Sequence, residues 1–113
     1  MIRATLKSTG AYLPKREVSN SELEHLMDTS DAWIQERSGI QSRRFADLTS
    51  ETCSSMGAKA AAQAMSAASW NRNAPDLLIF STLSPDYYFP GAGVLAQREL
   101  DLPNIPCLDI RAQ

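Results

Sequence analysis

The chain has 113 residues, enough for one small domain, and its 43% hydrophobic and 21% charged content excludes the disordered class. A formal net charge of −2 provides no global field for nucleic acid or an anionic membrane, so neither is an expected partner and any anion site must be local. Arg3 and Lys7 interrupt the N-terminal apolar residues and no run is long enough to span a bilayer; neither a signal peptide nor a membrane segment is expected, and the location read is cytoplasmic.

Loose alternation predicts a strand over residues 2–10, ending at Tyr12-Leu13-Pro14, with a loop at 15–18. Ser19 or Asn20 can cap a short helix over 21–27, and Ser19 with Glu22 has capping-box spacing. Thr29 or Ser30 can cap the next helix, Asp31 suits its positive end, and Gly39 stands where a left-handed stop is needed. Residues 41–46 read as an extended segment with Arg43 and Arg44 on opposite sides. Thr52 begins the longest helix, to about residue 69, rich in Gly, Ala and Ser. Such small side chains let a second backbone approach closely and suit a helix buried in a layered fold.

The run DLLIFSTL at 76–83 has the pattern of a strand covered on both faces. A loop with Tyr87, Tyr88 and Phe89 leads to a helix over 91–100, and Cys107 begins a further strand to Ile110. Strand, helix, strand with so long a crossover implies a parallel βαβ unit and an α/β domain, in which ligands bind beyond the carboxyl ends of the strands. The chain stops at that edge, which leads to the expectation that it is the first part of something longer. Cys53 and Cys107 are far apart in apolar surroundings, and His25 is the one histidine. No metal-ligand spacing exists, so two buried, reduced thiols and no metal site are expected.

The densest signal is DTSDAWIQERSGIQSRRF at 28–45. Trp33 and Arg37 lie four residues apart and share one helix face. An indole beside a guanidinium suits a flat, negatively charged ligand such as an adenine nucleotide, although a tryptophan there could equally pack between helices.

At these residues the sequence resembles the start of β-ketoacyl-[acyl-carrier-protein] synthase III, a thiolase-superfamily condensing enzyme. The resemblance spans the chain through STGAYLP at 8–14, DTSDAWIQERSGIQSRR at 28–44, ETCSSMGAKAA at 51–61, Phe89-Pro90 and LDIRAQ at 108–113, in family order. It implies that residues 1–113 are the N-terminal portion of a thiolase-like layered α/β/α fold, ending just before the family's nucleophilic cysteine. The catalytic cysteine, histidine and asparagine would all lie beyond Gln113, and neither Cys53 nor Cys107 matches the nucleophile. The implied activity is a decarboxylating Claisen condensation of an acyl-CoA with malonyl-acyl-carrier protein, initiating fatty acid synthesis, with coenzyme A thioester as substrate and no cofactor. Trp33 matches the residue that stacks on the adenine of coenzyme A, and Arg37 and Thr29 match positions near the nucleotide and its phosphates. Phe89 matches a residue that reaches across a homodimer interface to the partner's acyl pocket. Tyr87-Tyr88, Arg111 and Gln113 are bulkier than the family's usual residues there. That leaves room for a sister enzyme of secondary metabolism or of acyl-CoA head-to-head condensation. A non-catalytic CoA-binding module is the rival of another class.

Overall fold

The computed structural model describes residues 3–111, and its contacts group into two units, Leu13–Glu51 and Met1–Tyr12 with Thr52–Gln113. Predicted positions at Ile2, Ala112 and Gln113 lie outside the described residues.

In the unit 13–51 a two-stranded antiparallel ribbon joins β1 (Arg16–Ser19) to β2 (Ser42–Phe45). β1 occupies the stretch expected to be a loop. Its sequence, REVS, carries one apolar residue, so it shows no apolar alternation; Val18 alone is buried, and the rest of the strand is exposed. Partners across the ribbon compensate. Glu17 faces Arg44 in the register, with their side chains 3.1 Å apart, and the Arg16 guanidinium lies 5.7 Å from the Phe45 ring centroid.

Two short helices connect the strands, α1 (Asn20–Glu24) and α2 (Asp31–Ser38). Ser19 caps α1 by accepting from the Glu22 N–H, but the Glu22 carboxylate turns to Arg16 at 2.8 Å, so only half of the expected capping box is described. Ser30, not Thr29, caps α2, and Gly39 ends it at φ 70°, a left-handed conformation that glycine adopts without a Cβ penalty.

The other unit is built on α3 (Cys53–Ala67), β3 (Leu78–Ser81), α4 (Ala92–Glu99) and β4 (Cys107–Ile110). β3 and β4 pair in parallel, Leu78 opposite Cys107, with α4 as the crossover, as the order of predicted elements required. Thr52 and Ser55 form a reciprocal capping box at the start of α3. The small residues of α3 admit close approach as expected, but the helix is not the buried one predicted: among its residues only Ser54 and Ala58 are buried. A Cβ on Gly57 would strike the Phe80 ring, and one on Gly10 would strike the α3 backbone at Ala60 and Ala64.

Residues 3–10 form no strand. Their polar groups turn to the helix instead of to a ladder: Ser8 Oγ donates to the Ala64 carbonyl at 2.7 Å, and the Ala11 N–H donates to Gln63 Oε1 at 2.6 Å. The run 76–83 is also covered on one face only among the described residues. Phe80 faces α3 and α4, while Ile79 and Leu108 on the opposite face are exposed. Cys53 and Cys107 are free thiols, half-buried rather than buried.

Both helices of this unit end in the same device. After α3, Ser69 at φ 57° lets the Trp70 N–H reach the Met65 carbonyl at 2.8 Å; after α4, Asp101 at φ 50° lets the Leu102 N–H reach Gln97 at 3.1 Å. These are glycine positions occupied by other residues. Ser69→Gly is therefore expected to stabilise the protein by about 1 kcal/mol. Thermal unfolding checks this; an unchanged or lowered Tm would contradict it.

Candidate functional site

α2 presents the predicted platform. Trp33 is 55% exposed, and the Arg37 guanidinium, one turn on, lies 5.7 Å from its ring centroid. The pair offers an open π-surface beside a fixed positive charge, which can accept a flat ring system carrying phosphates. Thr29 is half-buried immediately before the Ser30 cap, so it lies just outside the helix that carries Trp33 and Arg37.

No residue of α2 is fully buried. Its position is set by polar ties to its neighbours. The Asp31 N–H donates to Glu24 Oε1 at 2.7 Å, and the Asp31 carboxylate accepts from Gln35 Nε2 and Asn20 Nδ2, each at 2.7 Å. Those two bonds, Gln35 first, hold the Asp31 carboxyl below the usual carboxylate range, against a smaller upward push from burial. Asn20 is 1% exposed, and the same Nδ2 also donates to the Ile40 carbonyl at 2.7 Å. Its Oδ1 accepts from Arg43 Nη2 at 2.8 Å. Arg43 Nη1 is buried without a partner among the described residues, and Arg44 is taken up by Glu17 and the Lys15 carbonyl. Arg43 and Arg44 are thus parts of the scaffold. The sequence showed Asn20 only as an alternative helix cap; nothing in its spacing reveals partners on α2, on β2 and in the connection between them.

Phe89 belongs to the other unit. It is 92% exposed, follows an equally open Tyr88 and precedes Pro90 across a cis peptide bond. The loop that carries it is tied at two points. Asp86 accepts the N–H groups of Cys53 at 2.6 Å and Ser54 at 3.0 Å, at the positive end of α3. Arg111 lies 5.2 Å from the Tyr88 ring and donates to the Tyr88 carbonyl at 3.0 Å. α4 is capped in the same manner from a distance. Its own cap, Gly91, has no side chain, and Asp109 of β4 accepts from the Gly93 N–H at 2.9 Å. Burial, with the Asp109 charge adding to it, pushes the Cys107 thiol up, which disfavours a reactive thiolate there. Among the described residues no cluster of three metal-ligating side chains exists, and no helix is long and apolar enough to cross a membrane.

No family model matches the chain. Individual proteins do. The chain is 45% identical over 111 residues to a β-ketoacyl-[acyl-carrier-protein] synthase III of Chlamydia trachomatis, an alignment covering 98% of this chain and 34% of that protein. The crystal structure of the 3-oxoacyl-[acyl-carrier-protein] synthase III of Aquifex aeolicus superposes with a TM-score of 0.88 at 40% identity, over 94% of this chain and 34% of the other. The priming β-ketosynthase of the R1128 polyketide pathway follows with a TM-score of 0.86 at 35% identity, over 93% and 31%. The chain therefore spans about a third of the length of the relatives it matches.

Burial is the largest single influence on the Asp86 carboxyl and pushes it up. The hydrogen bonds from Ser54, Cys53 and Thr52 outweigh it, and the net shift is downward. A folded-state value below the unfolded one contributes stability above the unfolded pKa, lost as the pH falls through the folded value. Asp86→Ala should cost about 0.5–2 kcal/mol at neutral pH, the scale of a helix cap, with the gap to the parent narrowing below about pH 4. Denaturant unfolding across pH checks this; a gap independent of pH would show that Asp86 does not act as an ionised cap. In sequence and in fold, the chain is similar to the N-terminal third of β-ketoacyl-[acyl-carrier-protein] synthase III enzymes, and its described elements are those of an α/β protein.

Proposed function

We propose that this chain is the N-terminal portion of a condensing enzyme that joins an acyl-CoA to malonyl-acyl-carrier protein, giving a 3-oxoacyl product and initiating fatty acid synthesis. The observation that carries the reading is the open Trp33–Arg37 pair on α2, set in a chain 45% identical to a synthase III. In this proposal Trp33 stacks on the adenine of coenzyme A, and Arg37 and Thr29 contact the nucleotide and its phosphates. A cysteine directly after Gln113, at a helix N-terminus that lowers its pKa, attacks the acyl-CoA thioester, takes the acyl group and releases coenzyme A. Malonyl-carrier protein then loses CO2, neutral hydrogen-bond donors hold the enolate oxygen, and the carbanion attacks the enzyme-bound acyl group, displacing the cysteine thiolate. The carbons come from thioesters, so the chemistry calls for no metal, flavin or nicotinamide.

A cytoplasmic homodimer is part of the same proposal. Phe89 and Tyr88 project openly, as a residue reaching toward a partner's acyl pocket would, and β4 is paired on one side only among the described residues. A second reading, a priming enzyme of a polyketide pathway, draws support from the 35% identity to the R1128 ketosynthase. The two differ in which acyl-CoA gives the higher kcat/KM.

Trp33→Ala in the full-length protein should weaken acyl-CoA binding by roughly 1–3 kcal/mol, the scale of base–aromatic stacking, or about five- to 150-fold in KM. Steady-state kinetics with acetyl-CoA checks this; an unchanged KM would show that Trp33 is not the adenine platform.

A further inference from the structure

The proposed nucleotide platform rides on a helix with no fully buried residue, and ties to both ends of that helix meet at one buried side chain. A helix normally takes its position from an apolar stripe against a core. α2 is positioned differently. Asn20 Nδ2 donates both to Asp31, the first residue of the helix, and to the carbonyl of Ile40, just past its Gly39 stop, each at 2.7 Å. One amide nitrogen therefore clasps the two ends of the element that carries Trp33 and Arg37. The Asn20 oxygen is committed to Arg43 on β2, and the Asn20 N–H donates to the Gln41 carbonyl at 3.3 Å, so the clasp is referred to the β1–β2 ribbon. Every donor and acceptor of this amide is directional, whereas the apolar contribution of α2 is limited to a half-buried Ile34, with no residue of the helix fully buried.

We propose that Asn20 is a positioning residue for coenzyme recognition: it touches no ligand, and it sets the placement of the Trp33–Arg37 platform by locking both ends of α2. This rests on the reading of Trp33 and Arg37 as the nucleotide contacts. Asn20→Asp is the informative change. It keeps the shape and the acceptor facing Arg43, but it removes both amide donors and sets a carboxylate against Asp31.

In the full-length protein, Asn20→Asp is expected to raise the KM for acetyl-CoA, and the Kd for free coenzyme A by calorimetry, about tenfold with kcat unchanged. That is within the hundredfold that an ångström of misplacement can cost. Combined with Trp33→Ala it should add little further loss, because both act through the same contact. Thr52→Ala, which removes the α3 cap, serves as the control for lost stability alone and should leave KM unchanged. If Asn20→Asp does not fold, Asp31→Ala breaks the same clasp from the helix side and should shift KM in the same direction. An unchanged KM and Kd in the Asn20 and Asp31 variants, or an equal shift in Thr52→Ala, overturns the positioning role and leaves the platform reading intact. Failure of the parent protein to bind coenzyme A overturns both.

Discussion

A buried amide with both its donors and its oxygen engaged organises the part of this chain built around α2. Asn20 is enclosed by the ribbon β1–β2 and both short helices, and it spends both oxygen and nitrogen on fixed partners. A polar group removed from water is costly unless its partners are in place, so the energetics select one arrangement of α1, α2 and β2 over near alternatives. This frees α2 from the need for an apolar face. Trp33 can then stand open at the surface, where an indole is available to a ligand instead of consumed by the core.

The unit built on α3 follows another logic. Its helices approach neighbouring chain because side chains are missing at the contacts: Gly10 at Ala60 and Ala64, Gly57 at Phe80, Gly93 at Cys107. The same closeness puts helix N-termini within reach of remote carboxylates. Asp86 comes from the loop after β3 and Asp109 from β4, and each supplies the acceptor that the helix's own first turn leaves wanting. Asp86 has a double consequence, since the residue that steadies α3 also anchors the loop leading to Phe89.

The extent to which this was legible in the sequence follows from the range of the interactions. Local signals carried well: Thr52, Gly39 and the apolar run at 76–83, of which 78–81 form the strand, each encode their structure within a few residues. The Trp33–Arg37 pair was legible for the same reason, being a one-turn relation on a capped helix. β1 was missed because a ribbon strand with one buried residue carries no alternation, and residues 3–10 were misread because weak alternation says nothing about whether a ladder partner is at hand. Asn20, Asp86 and Asp109 act across 11 to 33 residues, and no periodicity connects them to their partners. Thr29 and Ser30 were equivalent as caps until backbone geometry chose Ser30.

Sequence similarity to synthase III enzymes and the open Trp33–Arg37 pair are the two supports of the proposed condensing function, in which this portion would hold the thioester's nucleotide handle and a cysteine following Gln113 would do the chemistry. That claim is tested most directly by reading the codon that follows the one for Gln113 in the gene. The account predicts cysteine there; a stop codon or any other residue would contradict the condensing reading and leave a coenzyme-binding module in its place.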